Sequence, residues 1–186
     1  IALLADHEWE DRQSKKMTRF IKAASFKQKA SLADIDYSHS RNLERNMFDR
    51  LASLTFITRR ENIIVTGPSG VGKSYIAQSI GNQACLMGYR ALYANTSRLL
   101  SRLKLSKLDG TYFRELKKLQ KTDLLILDDF GLQGFDATAR ELLIDIIDDR
   151  FNESSTIVCS QIPVSAWYDL IGEGTIADAI LDRIVN

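Results

Sequence analysis

The chain has 186 residues, enough for one compact domain with a short appendage. Charged residues make up 26% and apolar ones 45%, as in an ordinary soluble globular protein, and the net charge of +1 points to no class of partner. No apolar run approaches the ~18 residues of a bilayer span, and Ile1-Ala2-Leu3-Leu4-Ala5 lacks the basic leader of a signal peptide, so no membrane association is expected.

Residues from about Glu8 to Ala33 are predicted as a basic helix, with Trp9, Met17, Phe20, Ile21 and Ala24 roughly on one face. Asp34 to Ser40 reads as a polar connection. Asn42 to Thr58 reads as a second helix, carrying Leu43, Met47, Leu51 and Leu54 at spacings of three and four. Asn62 to Thr66 is a short β-rich run followed at once by a glycine loop. Lys73 to Leu86 is a helix that Met87-Gly88-Tyr89 ends, and Arg90 to Ala94 is a second strand. Thr96 to Lys107 and Thr111 to Lys121 are helices parted by Asp109-Gly110. Leu124 to Leu127 is a third strand running into Asp128-Asp129. Asp136 to Phe151 is an amphipathic helix, Thr156 to Cys159 a fourth strand, Pro163 opens a short helix, and Thr175 to Val185 is the last one. Strands alternating with helices in this way predict an α/β domain with a mainly parallel sheet. Residues 1–40 are expected to form a basic helical extension and 41–186 the core. The start without Met, and the end at Ile184-Val185-Asn186 within a helical pattern, suggest a piece of a longer protein.

The near-neutral total hides a strong asymmetry. Arg12, Lys15, Lys16, Arg19, Lys22, Lys27 and Lys29 follow one another without an acid. From Arg98 to Lys121, Arg98, Arg102, Lys104, Lys107, Arg114, Lys117, Lys118 and Lys121 face only Asp109 and Glu115. Beyond Lys121 the balance reverses, with Arg140, Arg150 and Arg183 alone among many acids. Two basic zones beside an acidic tail can mark a polyanion-binding surface. Cys85 and Cys159 are isolated in apolar stretches, which suits buried thiols of a cytoplasmic protein better than a disulfide or a metal site.

Gly67-Pro68-Ser69-Gly70-Val71-Gly72-Lys73-Ser74 fits the phosphate-loop pattern without mismatch, and it lies between a strand and a helix as that loop must. Glycines let the backbone wrap close to phosphate oxygens, and the amides of the loop and helix start then point at the anion. Lys73 supplies charge to the β- and γ-phosphates, and the Ser74 hydroxyl is a Mg²⁺ ligand. The nucleotide-binding set is therefore expected to run from Gly67 to Tyr75. Leu124-Leu125-Ile126-Leu127 then delivers two carboxylates at a strand end: Asp128 to hold Mg²⁺ and Asp129 to orient the attacking water. Ser160 and Gln161, after the fourth strand, are candidates to face the γ-phosphate, with mere turn residues as the alternative. Asn95 either hydrogen-bonds the water-activating carboxylate or simply caps the following helix.

The phosphate loop, the Asp-Asp strand end, Ser160-Gln161-Ile162-Pro163, Trp167-Tyr168-Asp169-Leu170-Ile171-Gly172 and Thr175-Ile176-Ala177-Asp178-Ala179-Ile180-Leu181-Asp182-Arg183 together resemble the IstB transposition helper ATPases. That family is a branch of the AAA+ ATPases, beside the DnaC helicase loaders and DnaA initiators. The resemblance implies an AAA+ P-loop NTPase with strand order 5-1-4-3-2, the fifth strand and a small helical lid lying beyond this chain. It implies ATP and Mg²⁺ as cofactors and homo-oligomers with ATP at the junction of protomers. Arg183 matches the arginine finger supplied in trans. Nonspecific duplex DNA and a transposase of the IstA type are the implied partners. Lys15, Lys16, Arg19 and Lys22 in one zone, and Arg98, Arg102, Lys104 and Lys107 in the other, are then the expected DNA contacts, giving affinity without base readout. Asp129 stands where most AAA+ proteins have Glu, and its shorter side chain is expected to slow hydrolysis. Rival readings are a DnaC-like helicase loader, a P-loop small-molecule kinase, and a nucleotide-gated interaction module with negligible hydrolysis. The segment after the fourth strand is nearly free of the arginines that a kinase lid requires.

Overall fold

A computed structural model describes residues 2–36 and 44–185, with side chains from residue 9 onward. Four strands, β1 (Ile63–Thr66), β2 (Ala91–Asn95), β3 (Leu124–Asp128) and β4 (Ser155–Ser160), form one parallel sheet in the order β1-β4-β3-β2. This is the 1-4-3-2 part of the AAA+ order, and no fifth strand occurs among the described residues.

β3 is an apolar run because the sheet is covered on both faces and successive side chains point to opposite sides. Leu124 and Ile126 face helix α4 (Lys73–Leu86), packing with Ile80, Ala84 and Cys85. Leu125 and Leu127 face the other layer, built from α5 (Thr96–Leu108), α6 (Tyr112–Gln120), α7 (Ala137–Arg150), α8 (Trp167–Ile171) and α9 (Gly174–Val185). Trp167 is fully buried there, tilted at 43° against Phe130 with 4.7 Å between ring centroids, and its indole N–H donates to Ile162 O at 3.0 Å. On the opposite side α4 lies so close to β3 that a Cβ at Gly81 would come within 2.8 Å of both Ile126 and Phe26. Buried Arg150 joins three segments by donating to Leu119 O, Thr122 O, Ser155 O and Thr156 Oγ1. Burial pulls its guanidinium down to about 10, still protonated at neutral pH.

The N-terminal helix differs from the sequence expectation. α1 covers Ala2–Ala23, and the chain leaves helical geometry at Ser25, whose φ is +60°. Phe20 and Ile21 at its C-terminal end, with Ala24 just beyond, join the α4 core, while Trp9 is 63% exposed. A 3₁₀ turn over Leu32–Asp34 follows, capped by Ser31. The second helix is also broken. α2 spans Arg45–Ala52 and α3 Thr55–Thr58, with Leu54 between them at φ +56°. The expected start at Asn42 and Leu43, and the 40/41 boundary between extension and core, lie outside the described residues. Cys85 and Cys159 are both buried, as expected. No described helix is long and apolar enough to cross a membrane.

Candidate functional site

The strands end level with one another, Asn95 in register with Asp128 and Thr66 with Ser160, so their polar ends line one edge of the sheet. In open parallel sheets this carboxyl edge is where ligands bind. The glycine loop leaves β1 here. Gly70 (φ +81°) and Gly72 (φ +96°) occupy the left-handed region that turns the loop into the first residue of α4. Gly67 N donates to Ser160 O at 3.3 Å, tying the loop to β4. Lys73 opens α4, and its Nζ donates to Gly67 O and Pro68 O at 2.8 Å each, holding the ammonium inside the concave loop. Ser69, Val71 and Ser74 complete the turn, and the Tyr75 hydroxyl accepts from Ser31 N at 3.4 Å. The whole expected set from Gly67 to Tyr75 is thus contiguous in space as in sequence.

Asp128 ends β3, 3% exposed, with three groups fixing it. Tyr93 Oη donates to Oδ2 at 2.5 Å, Asp129 N donates to Oδ1 at 3.0 Å, and Thr96 Oγ1 donates to its main-chain oxygen at 2.8 Å. Burial and the Asp128 carboxylate push the Tyr93 phenol far above its usual range, so it stays a donor at any working pH. Asp129 adopts φ +55°, a conformation costly for most non-glycine residues, and this turn aims its carboxylate at β2. Asn95 Nδ2 donates to Asp129 Oδ2 at 2.8 Å, while Asn95 Oδ1 accepts from Arg98 N (3.2 Å) and Ser97 Oγ (2.9 Å). The two alternatives for Asn95 are both realised: one amide restrains Asp129 and caps α5.

Ser160 and Gln161 separate in the structure. The buried Ser160 hydroxyl donates to Phe130 O at 2.8 Å and accepts from Ile162 N at 3.0 Å. Gln161 is half-buried at the exit of β4, and no described residue holds its amide. Arg183 lies at the other end of β1, where Asn62 Nδ2 donates to Arg183 O at 3.0 Å. Its guanidinium pairs with Asp148, donates to Ala179 O at 2.8 Å and covers the Phe151 ring. It therefore does not meet the phosphate loop of its own chain.

The two basic zones, distant in sequence, flank the same edge strand. β2 carries α5 on one face, and on the other the end of α1, where Tyr93 N donates to Ala24 O at 2.8 Å. Lys15, Lys16, Arg19, Lys22, Arg98, Arg102 and Lys107 are exposed, and Lys104 is half-buried. Lys15 pairs loosely with Asp11, Arg102 with Glu115 and Lys104 closely with Asp136. Lys22, Lys27 and Lys29 also line a cleft of about 610 Å³ against Asn82 of α4.

The donor set suits a nucleotide with a hard divalent cation. Ser74 and Asp128 offer only oxygen, and no cluster of three His, Cys, Asp or Glu exists among the described residues. A Mg²⁺ shell completed by phosphate oxygens and water fits such a site, whereas an all-protein cage does not. Tyr93 is the residue that sequence reasoning missed. In a strand of alternating apolar residues an aromatic reads as core, and only its register beside Asp128 reveals it.

Comparison with known proteins agrees with this geometry. A family model described as IstB-like ATP binding protein matches residues 1–186. An insertion sequence ATP-binding protein of Sinorhizobium fredii, y4pL, is 41% identical over 100% of this chain and 76% of its own length. The ATP-binding protein of insertion sequence IS1162 from Pseudomonas fluorescens is 43% identical over 89% of this chain and 72% of its own length. Among solved structures, the DnaC helicase loader superposes with TM-score 0.65 at 23% identity, covering 83% of this chain and 93% of that one. DnaI superposes with TM-score 0.70 at 25% identity, covering 84% and 87%.

Proposed function

Because the chain belongs to the IstB-like ATP-binding protein family and has the AAA+ fold, we propose that it is a Mg²⁺-dependent ATP hydrolase that assembles on duplex DNA in the cytoplasm and recruits a transposase. The observation that carries the hydrolytic reading is the convergence, at one sheet edge, of the phosphate loop, buried Asp128, and Asp129 restrained by Asn95. Loop amides and Lys73 would grip the phosphates, and Ser74 with Asp128 would hold Mg²⁺, which would supply charge neutralisation for phosphoryl transfer. Asp129 turns the attacking water toward the γ-phosphate and polarises it. Gln161 reaches the γ-phosphate, and Ser160 anchors the strand end that presents it. Arg183 acts on the ATP of a neighbouring protomer, where an arginine supplied in trans is worth roughly 10³–10⁵ in rate. To do so it must leave Asp148.

The basic residues on both sides of β2 support a DNA backbone contact next to Asn95, the residue that restrains Asp129. A shift of α5 on DNA would loosen its cap and free the carboxylate, so that DNA and transposase encounter switches hydrolysis on. The test is steady-state ATPase of the full-length protein with duplex DNA. Turnover should rise with DNA and lose that stimulation steeply as salt increases. Unchanged turnover at every DNA concentration refutes the coupling, and DNA-independent phosphorylation of a small acceptor replaces this reading with a kinase.

A further inference from the structure

Residues 24–27 touch two side chains, each of which reaches one of the proposed Mg²⁺ ligands. Tyr93 accepts its place from Ala24, whose carbonyl takes the Tyr93 N–H at 2.8 Å, and Lys27 Nζ sits 5.4 Å from the centre of the Tyr93 ring. Tyr93 Oη in turn donates to Asp128 Oδ2 at 2.5 Å. Lys27 N donates to Gln78 Oε1 at 2.7 Å, and Gln78 Nε2 donates to the main-chain oxygen of Ser74 at 3.0 Å. Gln78 and Tyr93 are both buried, so neither contact is a surface accident.

We propose that Tyr93 is a positioning residue for the Mg²⁺ carboxylate, fixing the orientation of Asp128 from beneath while the segment after α1 fixes Tyr93. The physical case is one of lone pairs and torsions. An ionised carboxylate offers about four acceptor directions. Tyr93 takes one on Oδ2 and Asp129 N takes one on Oδ1, which stops rotation about the otherwise soft carboxylate torsion. The remaining directions stay available to the cation or its water. Outer-shell partners of metal ligands typically carry about 10–100-fold in metal affinity. Here one of two restraints is lost when the hydroxyl is removed, and phosphate oxygens share the cation, so the low end of that range, about tenfold, is expected.

This inference rests on Asp128 being a Mg²⁺ ligand, and the experiment separates the two. Binding of a fluorescent ADP to the full-length protein is titrated with Mg²⁺, and repeated in EDTA, for wild type, Tyr93→Phe and Asp128→Asn. Phenylalanine fills the same space, and a thermal melt without nucleotide verifies the fold. Tyr93→Phe should raise the half-saturating Mg²⁺ concentration about tenfold and leave the EDTA affinity unchanged. An unchanged Mg²⁺ midpoint overturns the role of Tyr93, provided Asp128→Asn shifts it. Equal loss with and without Mg²⁺ also overturns it, because a general structural defect acts on both. If Asp128→Asn itself leaves the midpoint in place, the metal assignment falls and the role of Tyr93 falls with it.

Discussion

Substituting Asn95 separates its two tasks, because its oxygen and its nitrogen serve different partners. Asn95→Ala removes both the α5 cap and the restraint on Asp129. Loss of a side-chain cap costs about 1 kcal/mol of stability. A hydrogen bond to a charged group contributes about 1.5–3 kcal/mol, and the half-buried setting of this one favours the lower end. Releasing Asp129 from about 1.5 kcal/mol of restraint raises the fraction free to orient water by up to roughly tenfold. Turnover without DNA should rise by a factor of that order, and the ratio of DNA-stimulated to basal turnover should shrink correspondingly. Asn95→Asp is the sharper variant. It keeps an oxygen for Arg98 N and Ser97, but sets a like charge against Asp129 in place of a donor. It should retain most of the cap while raising basal turnover at least as much as Ala. Measured by phosphate release alongside urea unfolding, a folded Asn95→Asp protein with basal turnover at or below wild type would refute the restraint.

Other outcomes test the remaining parts. Arg183→Ala should abolish turnover yet spare ATP binding, and mixing it with Lys73→Ala should restore partial activity through mixed interfaces; no rescue at any ratio argues against a shared site. Gly131→Ala should lower stability by at least about 1–2 kcal/mol from the left-handed backbone alone. The backbone there is at φ +74°, and a new Cβ would also sit 2.1 Å from Leu170 Cδ2. A urea midpoint equal to wild type contradicts that packing. Burial pushes the Cys159 thiol up to about 12 from an ordinary 9.0. The unfolded chain therefore loses this proton first, and the associated stability, complete below pH 9, declines as pH climbs toward 12. Thiol reagents at pH 8 should accordingly label Cys159 only on unfolding.

Much of the site is legible in the primary structure because phosphate binding constrains consecutive residues. Gly67 to Ser74 and the Asp128-Asp129 pair each need one short stretch in one local conformation, and they announce themselves. Asn95 was ambiguous because capping and carboxylate restraint use the same residue type, and only the register of β2 on β3 shows both at once. Tyr93 was invisible for the converse reason: nothing distinguishes a core aromatic from one whose hydroxyl meets a carboxylate. The helix breaks at Ser25 and Leu54 carry no glycine or proline. There tertiary packing of Phe26 on α4, and of Phe56 and Ile57 in the same core, overrides a helical pattern that continues in the sequence. Arg183 read as an interface residue by resemblance, and its pairing with Asp148 across α7 and α9 could not be deduced from spacing alone.

The way β2 is bordered has a further consequence. A strand at the rim of a sheet offers unpaired main-chain groups on which other chains can add strands and aggregate. In this molecule the carbonyl of Ala24 already occupies the amide of Tyr93, and Phe20, Ile21 and Phe26 shield the apolar surface around it. The same stretch carries lysines that deter a flat, uncharged neighbour from stacking alongside. Cationic character at this rim thus guards solubility, and peeling the stretch away would expose sticky backbone and disturb Tyr93 with the Asp128 carboxylate it holds in a single event.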